Sequence, residues 1–267
     1  MTELDLHSLG IGTWKNDDPD ECAESVRTAL EVGYRNIDTA QAYGNEAAVG
    51  RGIAESSVPR EEVFLATKVE TGNLSYDDVH ETTRESLDRL DTDYIDLLYV
   101  HWPARTYDAP ETLRAFQELY DEGTIRHIGV SNFEPEHLDE AREILDAPIF
   151  ANQVELHPYL QQAELRAYAE EHDHHVVAYS PLARTNVLDD EVLGDIAEKH
   201  DASVPQVVLA WELDIGVVTI PKATSAEHIR DNWGAYDVAL DDEDHERIAA
   251  LDSGQREIDP DGAPWDN

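Results

Sequence analysis

Short apolar runs alternate with longer amphipathic stretches along all 267 residues. The apolar runs are four to eight residues long and rich in β-branched and aromatic side chains, which predicts strands. They are Leu9–Thr13, Tyr34–Asp38, Val63–Val69, Tyr94–His101, Arg126–Val130, Phe150–Val154, His175–Tyr179 and Val217–Ile220. Apolar residues at three- and four-residue spacing predict helices at Glu21–Val32, Glu46–Glu55, Tyr76–Leu90, Pro110–Glu122, Glu136–Leu145, Ala163–His172, Glu191–His200 and Pro205–Leu213, with a last one opening near Ser225. In the first, Cys22, Val26, Ala29 and Leu30 share a face and Gly33 supplies the stop. Eight strands alternating with helices, without a linker or a break in composition, predict an α/β fold: one (β/α)8 TIM barrel spanning residues 1–267 as a single domain. A doubly wound open sheet is the alternative, and eight near-regular repeats favour closure.

In such a barrel, chemistry belongs at the C-terminal ends of the strands. Seven predicted strands end in polar groups: Asp38, Lys68, His101, Ser131 with Asn132, Asn152 with Gln153, Tyr179 with Ser180, and Lys222. Each alone has an innocent reading. Asp38 suits a loop cap, Tyr43 an aromatic lid, Lys68 a structural ion pair and His101 a satisfied core histidine. A carboxylate, a phenol, an amine and an imidazole converging on one rim are harder to explain by packing.

Composition sharpens the reading of Lys68. The chain carries 59 acidic residues against 19 Lys and Arg, a formal net charge of −40. Only four of those cations are lysines: Lys15, Lys68, Lys199 and Lys222. A lysine kept against such depletion is expected where a compact, tunable amine does what a guanidinium fork cannot. Lys68 ends a buried strand, so its ammonium needs an anionic partner. An ammonium paired with Asp38 beside Tyr43 would favour the phenolate, and bringing that pKa from about 10 towards 7 requires roughly 4 kcal/mol of differential interaction. Tyr43 would then be a general acid at neutral pH, with His101 orienting a carbonyl oxygen.

The charge excess also bounds the surroundings. At molar ionic strength the Debye length falls to roughly 3 Å and self-repulsion is screened. Acidic excess with scarce lysine therefore points to a salt-rich, halophilic cytoplasm, as in a halophilic archaeon. The same charge argues against nucleic acid or an anionic membrane as partner. One cysteine, Cys22, allows no internal disulfide. The N-terminus lacks the basic start and apolar core of a signal peptide, and no run approaches the ~20 apolar residues of a membrane span. These features predict a soluble cytoplasmic protein, and its sequence is compatible with a monomer without specifying an oligomeric state. The histidines His172, His174 and His175 straddle a helix end and a strand start at the barrel bottom, so no metal is assigned. The acidic run Asp241–Glu246 reads as a solvated helix start favoured by the dipole.

The segment Gly33-Tyr-Arg-Asn-Ile-Asp-Thr-Ala-Gln-Ala-Tyr-Gly-Asn-Glu46 resembles the first signature of the aldo-keto reductases. Further matches follow in order: Gly10–Trp14, Ala66–Lys68, Leu98–Pro103, Ile128–Phe133, Asn152–Tyr159, Ala178–Leu182 and Ile220–Lys222. The short loops look most like the prokaryotic branch that includes the 2,5-diketogluconate reductases. The resemblance implies NAD(P)H-dependent reduction of aldehydes or ketones by a tetrad of Asp38, Tyr43, Lys68 and His101, with Tyr43 as proton donor. It implies that nicotinamide stacks on Tyr179 with its carboxamide held by Ser131, Asn132 and Gln153. Ser180 and Leu182 would lie by the pyrophosphate and Thr13 near the cofactor ribose. Trp14 and Trp102, with Tyr43 and His101, would wall the substrate pocket.

NADPH-using relatives grip the 2′-phosphate with a Lys-Ser opening and an arginine six residues after the lysine. Here Lys222 is kept, Ala223 replaces the serine and His228 replaces the arginine. Thr224, Ser225 and the helix N-terminus still offer hydroxyls and backbone donors, and Asn232 would meet the adenine. NADPH is the expected cofactor, with NADH use in addition. Two other readings compete: a barrel aldolase forming a Schiff base on Lys68, and a cofactor-binding sensor with little turnover. The first leaves Tyr43, Asp38 and the 222–232 segment without roles; the second leaves an intact tetrad unexplained.

Overall fold

The computed structural model describes residues 6–260 and 262–266. Eight parallel strands stand side by side in sequence order: β1 (Gly10–Gly12), β2 (Asn36–Asp38), β3 (Phe64–Val69), β4 (Ile95–Val100), β5 (Ile125–Ser131), β6 (Ile149–Glu155), β7 (His175–Tyr179) and β8 (Val218–Thr219). The sheet closes on itself. Leu9 bridges Thr219 and Gly12 bridges Lys222, both parallel, while the Gly12 amide donates to the Pro221 carbonyl at 3.1 Å and the Thr219 amide to Ser8 at 2.8 Å. The predicted (β/α)8 barrel is thus the observed fold.

Ten helices surround the strands in the described residues: α1 (Pro19–Val32), α2 (Glu46–Ala54), α3 (Tyr76–Leu90), α4 (Ala109–Asp121), α5 (Pro135–Ile144), α6 (Ala163–His172), α7 (Glu191–His200), α8 (Val204–Asp214), α9 (Ala226–Trp233) and α10 (Asp242–Ala249). The first begins two residues before the predicted start. Asp18 caps it by accepting from the amides of Asp20 and Glu21, and Pro19 fits the first helical position, where no amide is needed. Strand β8 is shorter than predicted, two residues instead of four.

Pleating sorts each strand into two sets. Phe64, Ala66, Leu97, Tyr99, Ala151, Val177, Val218 and Ile220 fill the barrel interior. Their neighbours Ile37, Leu65, Leu98, Val130, Val154, Val176 and Ala178 join the larger core beneath the helices. Tyr99 is the bulkiest interior plug, and Gly129 makes room for it. A Cβ on Gly129 would stand 2.5 Å from the Tyr99 ring, which real side chains do not tolerate. At the bottom, Leu6 and Phe150 pack on the interior set, and Phe64 and Phe150 each stack with His127. None of the described helices is long and apolar enough to cross a membrane.

The acidic start of α10 is not simply solvated. Asp244 is fully buried, and it accepts from Lys199 Nζ at 2.8 Å and pairs with His200 Nε2 at 2.7 Å, while Lys199 also reaches Asp241 at 2.7 Å. Lys199 therefore clamps α7 to the first turn of α10.

Candidate active site

One cavity of about 600 Å³ opens at the C-terminal ends of the strands. A second hollow of about 640 Å³, lined by Tyr76, His80, Arg84 and four acidic residues, lies outside the barrel between α3 and α4 and touches none of the strand-end residues.

Asp38 on β2 and Gln153 on β6 meet across the barrel to form the floor of the first cavity, with Lys68 of neighbouring β3 bonded to Asp38, and all three are at least 97% buried. Lys68 Nζ donates to Asp38 Oδ1 and, at 2.9 Å, to the Thr39 carbonyl. Gln153 Nε2 reaches across to Asp38 Oδ2 at 2.8 Å. Each oxygen of the carboxylate thus has its own donor, as a buried charge requires. The ammonium sits 5.3 Å from the Tyr43 ring centre and 5.7 Å from that of Tyr99.

Tyr43 does not lie on a strand. It ends a 3-10 turn, Gln41–Tyr43, that Gly44 closes with φ 67°. Two side chains pin this loop. Asn45 donates to the carbonyls of Thr13 (2.9 Å) and Asn16 (3.2 Å) and accepts from Thr39 Oγ1 at 3.0 Å. Gln41 spans from Thr82 and Ser86 on α3 to the amide of Glu70. The phenol is thereby held over the floor with its ring edge-on to His101, centroids 6.0 Å apart.

The electrostatics correct one expectation. Burial holds the Tyr43 phenol well above the usual tyrosine range, and the Asp38 charge pushes the same way. The predicted lowering is absent because Lys68 spends its charge on Asp38, leaving burial as the dominant influence on the phenol. Burial likewise pulls the Lys68 ammonium below the usual lysine range, against the opposing attraction of Asp38. His101 is pushed down to about 3, by burial first and the Lys68 charge second. It is a neutral imidazole across the physiological range and can offer a hydrogen bond but not a charge.

Opposite Tyr43, three predicted residues interlock. Ser131 Oγ donates to the Gln153 carbonyl at 2.8 Å and accepts from Asn132 Nδ2 at 3.1 Å. Asn132 takes a left-handed backbone (φ 61°), and its Oδ1 accepts from the Tyr179 hydroxyl at 2.8 Å. Trp14, Trp102, Tyr179, Ser180, Leu182 and Lys222 all line the cavity as expected.

Several predicted residues stand elsewhere. Thr13 turns its hydroxyl into the Asp38 carbonyl at 3.1 Å and is buried, so Gly12 rather than Thr13 faces the cavity. Thr224, Ser225, His228 and Asn232 lie beyond the cavity wall. Ser225 Oγ caps α9 by accepting from the His228 amide at 3.2 Å, His228 is exposed, and Asn232 is buried.

Two further cations belong to the site, Lys15 after β1 and Arg184 after β7. Both line the cavity and flank Trp14, with Lys15 Nζ 4.5 Å and the Arg184 guanidinium 5.2 Å from its ring. Both take positive φ, at 57° and 50°. The C-terminal segment also contributes. Ile258 lines the cavity, and Trp265 packs on Trp102 with centroids 5.7 Å apart.

Residues 8–253 match the sequence model of the Aldo/keto reductase family. The chain is 45% identical over 266 residues to the methylglyoxal reductase DkgB of Escherichia coli O157:H7, covering 98% of this chain and 99% of that protein. It is 44% identical over 253 residues to the glyoxal reductase of Bacillus subtilis (strain 168), covering 95% and 91%. Among solved structures, an aldo-keto reductase from a Medee basin deep-sea metagenome library superposes with a TM-score of 0.93 at 38% identity, over 98% of this chain and 96% of that one. A variant of Gox0644 solved with NADPH superposes with a TM-score of 0.89 at 37% identity, over 96% and 94%.

Proposed function

This chain belongs to the aldo/keto reductase family, oxidoreductases acting on carbonyl groups, and we propose that it reduces small dicarbonyls such as methylglyoxal and glyoxal, with NADPH preferred over NADH. The observation that carries this reading is the cluster of Tyr43, His101 and Asp38 lining one strand-end cavity, with Lys68 bonded to Asp38. The relatives' substrates supply the substrate class.

The cavity residues suit a dinucleotide. Lys15, Arg184 and Lys222 face it, and its one acidic lining residue, Asp38, is already paired with Lys68. In a chain of net charge −40, three cations on one rim with no ion pair among the described residues are a built attraction for phosphates. Lys222 is exposed and makes no ion pair among the described residues. Tyr179 offers a ring fixed by its bond to Asn132, and Ser131, Asn132 and Gln153 surround the place for a carboxamide. When bound, the nicotinamide supplies a hydride.

The protein's own part is positional and protonic. The hydrogen bond from neutral His101 orients the carbonyl oxygen toward Tyr43. Tyr43 keeps its proton until negative charge develops on that oxygen, and an alkoxide is a strong enough base to take it even from a phenol held above its usual range. Lys68 and Asp38 hold the floor rigid and net neutral. Trp14 and Trp102 wall the substrate side, and Ser180 and Leu182 border the pyrophosphate. Lys68 also has both Asp38 and the Thr39 carbonyl to satisfy, which disfavours a Schiff-base role.

The contacts of the adenine end rest on Lys222, Thr224, Ser225, His228 and Asn232, with Thr13 acting through the backbone beside Asp38. Oxidation of NADPH and NADH is followed with methylglyoxal, glyoxal and small aldehydes as acceptors. Turnover with NADPH should exceed that with NADH, and His228→Arg should widen the ratio by about tenfold, the increment of one added charge-assisted bond to phosphate. Oxidation of neither cofactor above background with any acceptor would overturn the reductase reading in favour of the sensor.

We further read the chain as one barrel domain of a salt-rich cytoplasm, on the strength of its charge excess and its single buried cysteine. Its Tm should climb by several degrees or more between dilute buffer and molar KCl, where the Debye length is about 3 Å. A Tm indifferent to KCl would refute the salt adaptation.

A further inference from the structure

The mechanism above gives no role to a fully buried carboxylate at the barrel mouth. Glu155, the last residue of β6, faces the barrel mouth in register with Tyr179 on β7. Its Oε1 accepts from the Glu257 amide at 2.7 Å and its Oε2 from the Ile258 amide at 3.1 Å. His157 Nε2, also fully buried, stands 3.2 Å from Oε1. A buried carboxylate is costly unless each oxygen is satisfied, and here two of the three partners belong to a segment about a hundred residues away in sequence.

That segment crosses the cavity mouth. Its near end is tied down where the amides of Ser253 and Gln255 donate to the Tyr159 carbonyl, both at 3.1 Å. Beyond Glu155 the chain places Ile258 in the cavity wall and carries Trp265 onto Trp102. Arg256 lies 3.6 Å over the Trp265 ring. Apart from Ile258 and the Ala263–Trp265 end, the described residues of the strap are mostly polar, so its position over Glu155 depends largely on these bonds.

We propose that Glu155 is a positioning residue that latches this C-terminal strap and so sets the fit of the carbonyl substrate, without contacting substrate or cofactor. The inference rests on the reductase reading above. Glu155→Gln preserves size, yet its amide nitrogen can no longer accept from one of the two strap amides. Such a lost bond to a charged group corresponds to about tenfold in an equilibrium.

The test pairs kinetics with proteolysis on the intact protein. In Glu155→Gln, KM for methylglyoxal or a bulkier aldehyde should rise about tenfold while kcat and the NADPH-dependent quench of tryptophan fluorescence stay within about twofold. Trypsin should cut after Arg256 markedly faster than in the parent, a readout that needs no substrate. Ile258→Ala, which leaves the latch intact, should raise KM without faster cleavage, and the double variant should be less than additive in KM. Unchanged cleavage with unchanged KM in Glu155→Gln would overturn the latch. So would a fall in Tm and cofactor binding with KM unmoved, which would make Glu155 structural only. If the parent turns over no carbonyl, the reductase reading fails, and the cleavage rates alone decide the latch.

Discussion

Tyr43→Phe should lose carbonyl reduction by a factor of about 10³ or more, the range expected when a positioned proton donor is removed. The substitution deletes only the hydroxyl. The ring remains edge-on to His101 and 5.3 Å from Lys68, and the 3-10 turn is set by Asn45 and Gln41 rather than by the phenol. NADPH should therefore still quench the fluorescence of Trp14 and Trp102, which line the same cavity. Retained turnover would sink the proton-donor assignment. The raised phenol adds a sign to the pH profile. Because burial holds the Tyr43 proton more tightly than usual, kcat for reduction should show no loss from Tyr43 ionisation as pH rises from 6 to about 9. A fall in kcat centred near pH 7 would instead mean that the phenol is acidified when cofactor is present.

The second large effect is on stability. Lys68→Met should leave the Asp38 carboxylate buried with only Gln153 as a side-chain partner, at a cost of about 3–5 kcal/mol. For a chain of this size that is a fall in Tm of roughly 10 °C. Adding Asp38→Asn to Lys68→Met should recover most of the loss, since no unpaired charge remains, while activity stays low. Thermal unfolding of the two variants in molar KCl separates these outcomes. A Lys68→Met protein as stable as the parent would show that the pair is not a structural unit.

Much of the barrel was legible because pleating writes itself into the sequence. A strand such as Phe64–Val69 shows which residues alternate inward, and Asp38, Lys68, Gln153 and Tyr179 stand on the inward alternation above the apolar layer. The scarcity of lysine pointed to the right kind of position. Lys68 holds the Asp38 carboxylate of the cavity floor and Lys222 lines the rim, while Lys15 stands beside Trp14 and Lys199 bonds α10. What was not legible depends on long-range geometry. Whether Thr13 faces a ligand or the Asp38 carbonyl is decided by a 25-residue loop closure. The direction of the Tyr43 shift turns on whether Lys68 is already spent. Glu155 reads as one more polar strand end until Glu257 and Ile258 fold back onto it.

The short eighth strand carries a mechanical consequence. Between β6 and β7 five residue pairs share the ladder, whereas β7 and β8 share two and β8 meets β1 only through isolated bridges. The hoop of the barrel is thus spliced at its weakest joint. Lys15 follows β1, Arg184 follows β7 and Lys222 follows β8, so the three cations stand on both sides of that splice. A dinucleotide held among them would brace the hoop shut. Part of its binding free energy would then appear as resistance of the whole barrel to opening, and the emptied enzyme would breathe first at this seam.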